Sequence, residues 1–150
     1  MKLSTRARYG TRALLDLAGQ QSDSPVQLKD IARRQNISLH YLEHIIAPLV
    51  GAGIVRSIRG ARGGLQLTRE PADITLGEVV QLLEGTSAPV DCVGRPETCE
   101  RAGTCVTRDV WCEVQQAIDE KLDSITLRDL IKRQHRKEQA RTAARSPAGR

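Results

Sequence analysis

Apolar residues recur at helical spacing along the first third of the chain and are broken by short polar clusters. From Thr5 to Gly19, Ala7, Leu14, Leu15, Leu17 and Ala18 alternate with Arg6, Arg8 and Arg12 and predict a first helix. The cluster QQSDSP at 20–25 predicts a turn. Leu28 to Gln35 predicts a short helix with Leu28, Ile31 and Ala32 on one face, closed by Asn36, a residue that tolerates the left-handed conformation of a tight corner. Ser38 is placed to cap the next helix. There Leu42, Ile45, Ile46, Leu49 and Val50 form a full apolar stripe, while Ser38, His40, Tyr41, Glu43 and His44 make a polar face. Pro48 predicts a kink that leaves the His44 carbonyl toward solvent.

The spacing then changes. Ile54 to Ile58 and Leu65 to Thr68 predict two strands joined by the basic glycine turn Arg59-Gly60-Ala61-Arg62-Gly63-Gly64. Asp73 to Leu83 predicts a helix, and Thr86 to Gly103 an irregular loop. From Thr104 to Ser124, Val106, Val110, Val114, Ile118 and Leu122 recur every four residues and predict a long helix with one apolar seam. Ile125, Leu127, Leu130 and Ile131 suggest a short closing segment. The expected organisation is a winged helix-turn-helix over 1–84, a cysteine loop over 85–105, a dimerisation helix with its closing segment over 106–131, and a disordered basic tail over 132–150. The fold class is mainly α with a small β-hairpin wing.

Composition sharpens this picture. Aromatic residues are 2% of the 150 and Phe is absent, so the core must be aliphatic, which favours a dimer whose interface supplies further apolar contacts. The N-terminus lacks the apolar run of a signal peptide, and no stretch approaches the ~18 apolar residues of a membrane span. The expected location is the cytoplasm. Residues 1–62 hold ten Lys/Arg against four Asp/Glu, 63–131 six against thirteen, and 132–150 seven against one. A basic first section joined to an acidic one is the charge pattern of a nucleic-acid-binding unit carrying something else.

Helix, corner, helix and arginine-tipped hairpin is the order of a winged helix-turn-helix. A major groove about 12 Å wide admits one helix, so Ser38, His40, Tyr41 and Glu43 are placed to reach base edges. Arg59 and Arg62 are placed to enter a minor groove, and Arg6, Arg8 and Arg12 to hold phosphates. A winged helix also serves as a protein-binding module in other chains. Four cysteines in a reducing compartment point to metal or redox chemistry. Cys92, Cys99 and Cys105 have six and five residues between them, and Cys112 follows after six more. Short zinc knuckles are absent, and wide spacing in a glycine-bearing loop suits an iron–sulphur cluster. A disulfide switch is the competing reading. An electron-transfer or cluster-carrier protein leaves the polar helix and arginine wing without purpose. A hydrolytic enzyme is rejected, because Glu43 between His40 and His44 does not stand in the H-E-x-x-H order.

These segments together resemble the IscR-like winged-helix regulators, a family that includes NsrR-like, RirA-like and CymR-like proteins. The resemblance rests on MKLSTRARYGTRALLDLA, ISLHYLEHIIAPL, GIVRSIRGARGGLQL, the Cys92/Cys99/Cys105 loop and DSITLRDL. It covers residues 1–131. It implies a homodimer with paired long helices and a 2Fe–2S cluster near the dimer interface, controlling affinity for a double-stranded DNA operator. RNA polymerase would be an indirect partner. The resemblance makes Ser38, Tyr41, Glu43 and Arg59 DNA contacts and Cys92, Cys99 and Cys105 cluster ligands. Two features depart from the IscR-like pattern. The step from first to second cysteine is seven rather than six, and Arg108 stands where that pattern has a histidine. Asp109 and Cys112 are the candidates for the fourth ligand, since position 8, an aspartate region in NsrR-like members, is Arg8. A clusterless thiol/disulfide regulator of the same fold is the alternative.

Overall fold

The computed structural model describes residues 3–20, 24–85 and 88–145. The turn expected at 20–25 and the loop expected from Thr86 therefore lie partly outside the described residues, as does the end of the basic tail.

Helix α1 (Thr5–Gly19) begins where Ser4 Oγ accepts the N–H of Ala7 at 3.2 Å, and it buries Ala7, Gly10, Ala13, Leu14 and Leu17. Helix α2 (Leu28–Gln35) buries Ile31 and Ala32. Asn36 ends it in the expected left-handed conformation, φ 53°, and turns the chain into α3 (Leu39–Gly51). Ser38 caps α3 by accepting the N–H of Tyr41 at 3.3 Å. Leu42, Ile45, Ile46 and Leu49 are buried. Val50, expected on the same stripe, is 37% exposed, because the chain leaves the core at Gly51. The helix runs through Pro48.

Strands β1 (Val55–Ile58) and β2 (Gly64–Leu67) pair antiparallel from Val55↔Leu67 to Ile58↔Gly64. The wing is seated on the segment before α2, where Val26 and Leu65 exchange backbone hydrogen bonds of 2.9 and 2.7 Å. Gly64 permits this seat. A Cβ there would stand 2.5 Å from the Val26 carbonyl oxygen. A 3-10 turn (Pro71–Asp73) leads into α4 (Leu76–Glu84), capped by Thr75 and packed on α1, α3 and the later helix α6 (Val106–Asp123).

The cysteine segment holds one helical turn, α5 (Asp91–Gly94), and a 3-10 turn (Pro96–Thr98). None of the residues of α6 is buried within the chain. Its C-terminal end is fixed to the segment before α4 by a small clamp. Leu76 N–H donates to Ile125 O at 2.7 Å, and Leu127 N–H donates to Ile74 O at 3.0 Å. Leu127 is fully buried beside a core of Leu14, Ile31, Leu42, Ile45, Leu49, Ile54 and Ile74, aliphatic as composition required.

Over residues 127–145 the structure departs from the expected short closing segment and disordered tail. Helix α7 (Leu127–Arg145) continues without a break. Thr126 and Asp129 cap it reciprocally: Asp129 Oδ2 accepts the Thr126 N–H at 3.0 Å, and Thr126 Oγ1 accepts the Asp129 N–H at 3.2 Å. Beyond the cap, Lys, Arg, Gln, Glu and Ala are all strong helix formers, and Gln134 bonds Glu138 one turn on at 2.9 Å. Residues 132–144 are exposed. The segment is helical by propensity and capping, without a buried face.

Candidate nucleic-acid interface and cysteine loop

The corner at Asn36 aims the N-terminal half of α3 outward. Ser38, Leu39, His40, Tyr41, Glu43 and His44 are all exposed there, so the structure brings four of the sequence-derived contact residues onto one helix face. The Ser38 hydroxyl is engaged as an acceptor by its capping bond, which leaves its own proton to donate. Tyr41 meets Tyr9 of α1 edge to face, ring centroids 6.2 Å apart. Tyr9 went unmarked in the sequence, and only the scarcity of aromatic residues hinted that the two tyrosines would meet. His40 and His44 approach within 3.2 Å through their Nε2 atoms, and Glu43 Oε2 lies 3.9 Å from His40 Nδ1.

The basic residues divide into two kinds. Arg59 and Arg62 are exposed at the wing tip, and Arg6 and Arg8 are exposed at the start of α1. Arg12 is committed elsewhere. Its guanidinium donates to Gln35 O at 2.7 Å and Gln35 Oε1 at 3.1 Å, and lies 5.3 Å from the Tyr9 ring centroid. Arg34 is likewise held by the nearly buried carboxylate of Asp16, Nε to both oxygens at 3.0 Å. The hydrogen bonds that Arg34 donates to Asp16 raise its pKa above its ordinary value. In this structure Arg12 braces α1 against α2, and Arg34 does the same.

All four cysteines are half-exposed free thiols. Cys92 sits in α5, Cys99 follows the 3-10 turn, Cys105 is the N-cap position of α6, and Cys112 lies about two turns further on. Val93, Arg95, Thr98, Cys99, Ala102 and Thr104 donate backbone bonds to carbonyls three or four residues back, so the segment is a series of local turns. Arg108 provides a longer tie, donating from Nε to Cys92 O at 2.8 Å. The Cys105 thiol is held below its usual pKa, first by the Thr107 hydroxyl 3.1 Å from Sγ and then by the Arg108 N–H. Among the described residues no three His, Cys, Asp or Glu side chains converge as a metal-holding group. By donor chemistry the loop thiols nevertheless suit an iron–sulphur cluster: they are soft, accessible, and in one case biased toward thiolate. Local turns are also the kind of structure that a ligand can regroup. Beside this segment, Val80, Val93, Gln115 and Leu122 help to line a groove of about 580 Å3 between α4, the loop and α6.

One face of α6 presents Val106, Val110, Trp111 and Val114 at 75%, 51%, 42% and 38% exposure. No helix among the described residues is long and apolar enough to cross a membrane.

A family profile described as "Rrf2: Iron-dependent Transcriptional regulator" matches residues 3–133. Protein rrf2 of Nitratidesulfovibrio vulgaris is 48% identical over 132 residues, 88% of each chain. Among solved structures, CymR, the global cysteine regulator of B. subtilis, superimposes with a TM-score of 0.74 at 42% identity, covering 88% of this chain and 97% of that one. IscR of T. potens superimposes with a TM-score of 0.72 at 42% identity, covering 99% and 94%. These relatives place the α3 face, the arginine wing and the cysteine segment in a winged-helix regulator and not in an enzyme, and the chain belongs to the Rrf2 family of transcriptional regulators.

Proposed function

We propose that this regulator is a cytoplasmic homodimer that binds a two-fold double-stranded DNA operator as a repressor, denying RNA polymerase the promoter. Its operator affinity is set by a 2Fe–2S cluster on Cys92, Cys99 and Cys105. The observation that carries the cluster reading is the loop itself: three accessible thiols on local turns, with Cys105 biased toward thiolate. The description of the family as iron-dependent supports it. When bound, such a cluster supplies an iron centre that responds to iron supply, oxidants or nitric oxide.

The chain's own residues do the rest. Ser38, His40, Tyr41 and Glu43 face the major groove, with the carboxylate of Glu43 able to accept from a cytosine amino group. Arg59 and Arg62 reach the minor groove or flanking phosphates from the wing. Val106, Val110, Trp111 and Val114 pair α6 with its partner copy, since an apolar seam of this length does not stay in water. Arg108 has no lone pair to give to iron, and the fourth cluster ligand is then Asp109 or Cys112. Cys105 lies before the first helical residue of α6, which keeps Cys112 in contention.

Anaerobic purification with visible absorption and iron and sulphide counts tests this reading. About two irons and two sulphides per chain are expected. Separate Asp109→Ala and Cys112→Ala variants then identify the fourth ligand by loss of the visible band. A colourless protein that resists reconstitution would leave the DNA-binding half standing and move the regulation to a thiol switch. That second reading is favoured by the lowered Cys105 pKa and by a cysteine regulator among the relatives.

A further inference from the structure

The reading face of α3 carries a pair of imidazoles arranged more closely than base recognition requires. His40 and His44 stand one helical turn apart with Nε2 atoms separated by 3.2 Å, ring centroids by 4.6 Å and ring planes at 86°. Two nitrogens at that distance have the bite of a chelate. Zinc–imidazole bonds are about 2.0–2.1 Å long, and two of them spanning this gap meet at about 100°, between the square and tetrahedral angles. Both rings are exposed, so an ion can enter directly from solvent.

Glu43 adds a second element. Its Oε2 lies 3.9 Å from Nδ1, the other nitrogen of His40. A carboxylate at that distance is too far to accept a hydrogen bond from the ring, and what it adds is negative charge beside the pair. The order His-x-x-Glu-His is also that of the inverted zinc proteases, whose helical histidines hold a metal ion. Here no third His, Cys, Asp or Glu completes a ligand set among the described residues. Water must fill the remaining positions, and the arrangement binds without implying hydrolysis.

We propose that His40 and His44 form a two-imidazole site for a divalent transition ion, zinc or copper(II), and that the bound ion weakens operator binding. Both ions are suited to imidazole. The ion takes the two Nε2 lone pairs and places a hydrated cation where base edges would pack. The first clause stands on the helix geometry alone. The second rests on α3 being the DNA-reading helix.

Thiols also bind these ions, so the test must report on histidine. The chain contains three histidines, His40, His44 and His135, and imidazole 15N spectra of the full-length protein titrated with Zn2+ resolve them. His40 and His44 are expected to shift together while His135 stays, and His44→Gln to abolish the shift at His40. A His40 shift that survives His44→Gln, or no shift at either residue, would overturn the site. Fluorescence anisotropy with a duplex that the protein selects from a random pool then tests the consequence. Zinc should weaken binding about tenfold, the weight of one lost base contact, in the wild type and not in His44→Gln. Shifted imidazoles with unchanged operator affinity would overturn the second clause. Failure to bind any duplex without zinc would instead strike the DNA-reading assignment of α3, and the spectra would still decide the site.

Discussion

Replacing Arg59 and Arg12 separately by alanine tests whether the basic residues divide as the structure divides them. Arg59 is exposed at the wing tip, whereas Arg12 donates to Gln35 O and Oε1 at 2.7 and 3.1 Å. Counterion release makes the logarithm of affinity fall against the logarithm of salt concentration by about 0.9 per phosphate neutralised. The proposed homodimer would present each arginine twice. Arg59→Ala therefore removes two contacts and flattens the slope by about 1.8. Across a rise from about 50 to 200 mM salt, that is about a twelvefold difference in how much affinity the salt removes.

Arg12→Ala should behave in the opposite way. It deletes an exposed brace between α1 and α2, costing about 1 kcal/mol, or a few degrees in Tm, and leaves the salt slope unchanged. Anisotropy titrations at several salt concentrations, paired with thermal melts, read both effects on the same samples. If Arg12→Ala flattens the slope as much as Arg59→Ala, the brace is a phosphate contact in the complex. If Arg59→Ala leaves the slope untouched, the wing tip is outside the interface.

Three further substitutions probe the scaffold and the loop. Gly64→Ala would place a Cβ 2.5 Å from the Val26 carbonyl oxygen and should lower stability by about 1–3 kcal/mol, read as a lower urea midpoint; an unchanged midpoint would mean that the wing is not seated on Val26. In the cluster-free protein, Thr107→Val removes the main cause of the lowered Cys105 pKa, so the pH midpoint for alkylation of Cys105, followed by peptide mass spectrometry, should rise while that of Cys99 stays. Asp129 has a folded pKa below its ordinary 3.8, mainly because the Thr126 N–H and hydroxyl donate to it. Its contribution is thus present above the unfolded value and lost as pH falls through the lower folded value. The Tm difference between wild type and Asp129→Asn should be constant from pH 7 to about pH 5 and shrink below about pH 4, and a difference that persists in acid would show that ionisation of Asp129 is not responsible.

The helices of the N-terminal half were legible because each carries its own start and stop signals. Ser4, Ser38 and Thr75 accept bonds from the first turns of α1, α3 and α4, and Asn36 adopts the one left-handed non-glycine conformation among the described residues. The wing was legible for a similar reason, since its glycine turn admits few other geometries. Helix α7 was not. A segment rich in Lys, Arg, Gln and Glu has the composition both of a disordered tail and of a solvent-exposed helix. What separates the two here is the reciprocal cap of Thr126 and Asp129, a four-residue signal easily passed over beside the apolar Ile125 and Leu127. The C-terminal clamp was equally hidden, because it is made of backbone bonds between Ile74–Leu76 and Ile125–Leu127, and such pairings leave no trace in local periodicity.

At the site, residue types were easier to read than their commitments. Periodicity placed Ser38, His40, Tyr41 and Glu43 on the outer face of α3, and the glycine turn placed Arg59 and Arg62 at its tip. Whether an arginine is available for phosphate depends on partners far away in sequence, as Arg12 with Gln35 and Arg34 with Asp16 show. Arg108 makes the same point within the cysteine segment. In the sequence it registers as a missing histidine, an absence that weakens the case for a four-ligand iron site. In the structure its guanidinium holds the Cys92 carbonyl and so ties the first loop cysteine to the first turn of α6, directly beside Cys105. A residue that cannot donate a lone pair to iron still has five N–H groups with which to hold a loop, and the substitution exchanges a ligand for a tether.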